Sequence, residues 1–148
     1  MNTQPDFEEL LRLLEEQKIE YMIVGGYAVA FHGHPRFTKD IDIFVDTSRA
    51  NLENLCKALV AFGFSRESVS PELFEKKGNI VTFGVPPVRV DILNEIDGLS
   101  YEEAKPGKVR GEYGDVEVPF IGLADLLRNK KASRRTKDKA DLEELEGE

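Results

Sequence analysis

Residues 23–46 read Ile23-Val24-Gly25-Gly26-Tyr27-Ala28-Val29-Ala30-Phe31-His32-Gly33-His34-Pro35-Arg36-Phe37-Thr38-Lys39-Asp40-Ile41-Asp42-Ile43-Phe44-Val45-Asp46. An apolar run from Tyr21 to Val24 stops at two glycines, a helix-compatible segment follows, and a strand pattern carrying Asp40-Ile41-Asp42 closes the stretch. Glycines at a strand end let backbone N–H groups approach a phosphate, because no Cβ stands in the way. A helix starting there adds its positive end. Alternation places Asp40 and Asp42 on one strand face, about 6–7 Å apart at Cα, and turns Ile41 and Ile43 into the core. Two acids on one face repel unless a cation lies between them. The economical reading is a Mg-nucleotide site.

Further along, Val88-Arg89-Val90-Asp91-Ile92-Leu93 alternates as a second strand, with Val88, Val90 and Ile92 on one face and Arg89 and Asp91 on the other. Asp91 on a neighbouring strand completes an oxygen cage for one or two metal ions, the hard coordination Mg²⁺ prefers. The plainer reading of Asp91 is an ion pair with Arg89 or Arg36.

Two glycines, a helix, an Asp-apolar-Asp strand and a later apolar-Asp-apolar strand together resemble the nucleotidyltransferase superfamily of the polymerase-beta type. Thirteen residues separate Gly26 from Asp40, which suits that pattern. The string Arg36-Phe37-Thr38-Lys39-Asp40-Ile41-Asp42 is similar to that of small bacterial members related to abortive-infection toxins. Those proteins carry a late Lys, Arg and two Asp, matched here by Lys130, Arg135, Asp138 and Asp141. The resemblance implies an α+β fold, a mixed sheet flanked by helices, and transfer of a nucleoside monophosphate from an NTP to an acceptor hydroxyl. It implies Mg²⁺ or Mn²⁺ on Asp40, Asp42 and Asp91, the last also a candidate for taking the acceptor's proton. Gly25, Gly26, Arg36, Thr38 and Lys130 are the implied nucleotide contacts. Many family members place a serine where this chain has Gly26, so that hydroxyl contact is absent.

The chain has 148 residues, the size of one domain with one sizeable core, and residues 1–148 are expected to form a single domain. Its 41% hydrophobic and 32% charged residues fit a soluble protein, and no apolar run approaches the roughly 20 residues that cross a membrane. No signal-peptide pattern opens it, so a cytoplasmic protein is expected. The lone Cys56 excludes a disulfide framework and reads as a buried structural thiol. A first helix is expected over 6–18, with Phe7, Leu10, Leu11 and Leu14 buried and Asp6 and Glu9 as a capping box. A second follows Thr47 or Ser48, buries Leu52, Leu55, Cys56 and Leu59, and stops at Gly63. Residues 64–75 read as irregular or a short helix, 79–83 as a strand, Pro86-Pro87 as a turn and 97–115 as a loop or edge hairpin. Residues 116–121 read as a last strand, placed at an edge by Pro119. Two short helices, about 123–131 and 137–146, end the chain.

Residues 128–139 hold seven basic side chains and one acid, a local charge of +6 within a chain of −8, leaving −14 elsewhere. Such a protein does not coat nucleic acid unselectively, but it can hold a triphosphate or an RNA end at that place. Arg135 and Asp138 have an alternative reading as a mutual ion pair fixing the last helix. His32 and His34 near three aspartates invite a zinc reading, but an aspartate-rich oxygen site favours Mg²⁺ or Mn²⁺. Tyr27, Phe31 and Phe37 are expected in the core ahead of base stacking. Only about 25 residues follow the last strand, whereas drug-modifying relatives usually add a helical domain. An RNA- or protein-modifying, toxin-like transferase is therefore ranked above a small-molecule one, with self-association or an antitoxin-like partner as corollaries. The competing classes are a catalytically silent nucleotide- or partner-binding module and a metal-dependent phosphoesterase.

Overall fold

The structure is a computed structural model. It describes residues 3–34, 38, 40–84, 88–133 and 136–146, without the side chains of 136–138 and 144. Helix α1 (Pro5–Glu16) begins with Pro5 at its first turn, where a missing N–H costs nothing. Gln4 is its N-cap and no side chain caps it, so Asp6 is not the start of a capping box. The expected stripe of Phe7, Leu10, Leu11 and Leu14 is fully buried.

Strand β1 (Tyr21–Val24) is buried throughout, runs into α2 (Gly25–Phe31), and pairs antiparallel with β2 (Asp40–Val45). Ser48 caps α3 (Arg49–Phe62) by accepting from the Asn51 N–H, and Gly63 at φ 132° ends it. Cys56 is only partly buried there, packed against the core rather than within it. A 3₁₀ turn (Arg66–Ser68) and α4 (Pro71–Glu75) lead to β3 (Ile80–Phe83) and β4 (Arg89–Leu93). The expected Pro86-Pro87 turn lies outside the described residues.

The segment expected as a loop or edge hairpin holds both a short helix and one strand of a hairpin at the sheet edge. Ser100 and Glu103 form a capping box on α5 (Tyr101–Ala104), whose Tyr101 and Ala104 are buried. Four helical residues are too few to show a 3.6-residue period, so the capping pair was its sequence signal. A hairpin of β5 (Val109–Tyr113) and β6 (Val116–Phe120) follows, then α6 (Leu123–Ala132) and α7 (Thr136–Glu146).

Among the described residues the sheet order is β3-β4-β2-β1-β6-β5. The pairs β2·β4 and β1·β6 are parallel and the other three antiparallel, so the α+β class and mixed sheet stand as expected. Strand β6 is interior, which corrects the edge placement read from Pro119. The registered contact to β1 falls at Ile23 and Phe120, with the Ile121 N–H donating to Ile23 O, beyond the proline that has no N–H to give.

Alternation on the central strands sorts side chains between two cores. Tyr21, Ile23, Ile41, Ile43, Val90 and Ile92 join α1 and α3 on one face. Met22, Val24 and Phe44 join α5, α6 and α7 on the other. Parity therefore sends Asp40, Asp42, Arg89 and Asp91 to this second face, at the end of the sheet where β1 gives way to α2.

Candidate active site

Strand register creates the site. In the parallel β2·β4 pair, Asp42 lies opposite Asp91 and Asp40 opposite Arg89. Neighbouring strands are about 4.8 Å apart, so carboxylates 49 positions apart in sequence become side-by-side neighbours. Thr82, opposite Asp91 on β3, donates its hydroxyl to Asp91 Oδ1 at 2.7 Å. Arg89 Nε donates to the same oxygen at 3.2 Å and lies 3.9 Å from Asp40 Oδ2. The hydrogen bond to Asp91, then the charges of Asp91, Asp40 and Asp42, hold the Arg89 guanidinium above its ordinary pKa. The ion-pair reading of Asp91 with Arg89 is thus realised, in the same place as the carboxylate cluster.

The glycines are fixed by close approach. Gly25 has φ +70°, and a Cβ there would collide with Asp42 Oδ2. A Cβ on Gly26 would lie 3.0 Å from Thr38 Oγ1, which itself donates to Asp40 O at 3.0 Å. The Thr38 hydroxyl therefore sits beside the space that a side chain at 26 would need.

A cleft of about 270 Å³ opens beside these groups, with Val24, Gly25, Asp42, Leu93, Glu95 and Lys130 in its wall. Lys130 comes from α6 and is buried, its Nζ 3.4 Å from Asp141 Oδ2 on α7. Asn94 was not singled out from the sequence. Buried behind β4, it donates to Phe74 O and Lys76 O, accepts from the Gly78 N–H, and so shapes the loop that brings Gly78 to the cleft. Thr82 was also missed: a threonine on an edge strand reads as ordinary strand chemistry until its cross-strand partner is known.

Of the residues expected at the site, Gly25, Asp42 and Lys130 share the cleft. Asp40 and Asp91 adjoin through Arg89, and Thr38 stands against Gly26. Arg36, Phe37 and Arg135, and the side chain of Asp138, lie outside the described residues. Three bases of the segment pair with acids: Arg128 with Glu103 at 3.0 Å, Lys131 with Glu146 at 3.3 Å, and Lys130 with Asp141. His32 Nε2 lies 2.8 Å from Ile121 O, a backbone contact rather than a ligand position. Tyr27 is buried edge-on between Phe7 and Tyr113, and Phe31 stacks on Phe120.

Asp40 Oδ1 is buried and accepts no hydrogen bond among the described residues, an acceptor without a donor. The three carboxylates offer only hard oxygen ligands, so the donor set fits Mg²⁺ or Mn²⁺. As arranged, with Arg89 against Asp91, no three metal-ligating side chains among the described residues converge on one point.

Residues 3–147 match the family described as "Nucleotidyl transferase of unknown function (DUF2204)". The chain belongs to this family. No curated protein matches it in sequence. Its DUF2204 fold is shared with LnuA, a lincosamide antibiotic adenylyltransferase solved with lincomycin bound, at TM-score 0.57 and 19% identity over 99% of this chain and 98% of that one. A Thermotoga maritima protein with a provisional nucleotidyltransferase assignment aligns at TM-score 0.60 and 16% identity, over 99% and 94% of the two chains. An antigenic nucleotidyltransferase-like protein of Paracoccidioides brasiliensis aligns at TM-score 0.53 and 18% identity, over 95% and 74%. At these identities the likeness is one of fold.

Proposed function

We propose that the protein transfers a nucleoside monophosphate from a metal-bound NTP to an acceptor hydroxyl, releasing pyrophosphate. The observation that supports this best is the register of Asp42 opposite Asp91, with Asp40 on the same strand face, and Asp42 sharing the wall of a cleft with Gly25 and Lys130. Asp40, Asp42 and Asp91 are the residues that hold Mg²⁺ or Mn²⁺; when bound, the cation neutralises triphosphate charge and eases loss of the acceptor's proton. Gly25 and Gly26 offer backbone N–H groups to phosphate oxygens, and Thr38 a hydroxyl. Lys130 supplies a positive charge at the cleft wall. The acceptor oxygen forms the new bond to the α-phosphorus as the bond to the pyrophosphate oxygen breaks, and Asp91 receives the hydroxyl proton. The rest is positioning, which such transfers chiefly require.

For the acceptor, chain length does not separate the two classes weighed from sequence. LnuA is described with a small molecule bound, and this chain spans nearly all of it without a further helical domain. A hydroxyl acceptor of either class suits the open cleft. The Arg89–Asp91 pair favours a second reading, a silent nucleotide-binding module, which turnover separates from the first.

Melting temperature with each NTP, with and without Mg²⁺, tests the site without an acceptor. A ligand at 100 times its Kd adds about 2.7 kcal/mol of stability. We expect a metal-dependent rise with at least one NTP in the wild type and none in Asp42→Asn, whose fold is retained. An equal rise in the variant would remove Asp42 from the ligand set.

A further inference from the structure

Arg89 stands against two of the three carboxylates. Its Nε donates to Asp91 Oδ1, and Thr82 Oγ1 donates to the same oxygen, so both lone pairs of that atom are engaged. The arrangement is built into the strands rather than made by a loop. Arg89 and Asp91 are two apart on β4 and share a face, and Arg89 is the registered neighbour of Asp40. Without a cation, carboxylates this close repel one another, and the guanidinium supplies the missing charge. Among the described residues it is held through Nε, and the Arg89 side chain is 41% exposed, whereas Asp91 is 13% exposed.

We propose that Arg89 is a built-in counter-ion of the carboxylate cluster, which an incoming divalent cation displaces from Asp91, so that Arg89 sets the metal affinity of the nucleotide-free protein. This rests on reading Asp40, Asp42 and Asp91 as the metal's ligands. A dication and a guanidinium cannot share one oxygen at hydrogen-bonding distance without strong repulsion, and the exposed, flexible arginine is the group that can leave. A metal ion arriving alone must therefore compete with Arg89. Metal arriving with a triphosphate competes better, because four further negative charges help to hold it and can receive the freed guanidinium.

The test titrates Mn²⁺ into the wild type, Arg89→Gln and Arg89→Lys without nucleotide, following free Mn²⁺ by its electron paramagnetic resonance signal. Arg89→Gln keeps the chain as far as a nitrogen at the position of Nε and removes the charge, and is expected to bind Mn²⁺ about three- to tenfold more tightly. Arg89→Lys keeps the charge and stays near the wild type. In wild-type protein, the Arg89 Nε–Hε NMR resonance is expected to shift as Mg²⁺ saturates the site, a readout that survives if the glutamine variant fails to fold. Equal or weaker Mn²⁺ binding by Arg89→Gln, or an Arg89 resonance indifferent to bound Mg²⁺, overturns the counter-ion role while leaving the metal site intact. Failure of all three proteins to bind Mn²⁺, with or without NTP, removes the metal-dependent reading and this inference together.

Discussion

Gly25 is the residue on which the site's geometry turns. Its φ of +70° is a left-handed conformation that side chains resist, and its missing Cβ is what lets Asp42 stand against the end of β1. Gly25→Ala carries two penalties, about 1–2 kcal/mol for the backbone conformation and a further displacement of Asp42. We expect a lowered urea midpoint and loss of metal-dependent stabilisation by NTPs. A variant of wild-type stability that still binds Mg-NTP would show that the close approach is dispensable. The glycine pair was legible in the sequence as a phosphate-approach motif. That Gly25 makes room for a carboxylate, and Gly26 for a threonine, was not, because both neighbours arrive from β2 and the segment before it.

At the scale of elements, the site depends on β1 and β2 holding one register, and one helix residue clamps the end away from the site. Buried Asn51 of α3 accepts from the Glu20 N–H at 2.7 Å and donates to Glu20 O at 3.0 Å and Asp46 O at 2.7 Å. It thus bridges the start of β1 to the end of β2, whereas Gly25 and Asp42 lie at the other ends of these strands. Truncation leaves the part-buried Glu20 N–H and Asp46 carbonyl without this partner, at about 1–3 kcal/mol for each group left unpaired. Asn51→Ala should lose at least about 2 kcal/mol in urea unfolding, yet the folded fraction should keep its Mg-NTP affinity. Lost affinity at full folding would mean that register at the clamp reaches the carboxylates. The sequence marked α3 by its apolar stripe and a cap at Thr47 or Ser48; Asn51 looked like an ordinary helix position because its partners are strand ends.

The whole molecule is acidic, and Glu20 shows how its carboxylates are held by neighbouring bases. Burial pushes the Glu20 carboxyl up, but the Lys108 hydrogen bond and charge, then Lys105 and the Tyr101 hydroxyl, bring it below its ordinary 4.5. A depressed carboxylate pKa contributes stability that is complete above the unfolded value and is lost as pH falls through the folded one. Wild type should therefore exceed Glu20→Gln in stability at pH 7, with the gap closing as pH falls below about 4.5. Raised salt should narrow the gap too, since Glu20 is partly exposed. Urea midpoints across pH 3–7 check this, and a gap independent of pH would refute the assignment. No helix among the described residues is long and apolar enough to cross a membrane.

The sequence by itself determined the local matters: the α1 and α3 stripes, a cap at Thr47 or Ser48 and the stop at Gly63, the parity that turns Ile41 and Ile43 inward, and the chain order of glycines and acids that carries the family resemblance. These follow from periods of 3.6 and 2, which any segment reports without its partners. Tertiary structure alone decided what depends on distant pairing. It set Asp42 opposite Asp91, placed Arg89 and Thr82 on Asp91, buried Lys130 beside Asp141, and made β6 interior despite Pro119. A residue's type and period fix the face it occupies. Only the order and register of strands fix what stands across from it, and the chemistry of this site lies between strands.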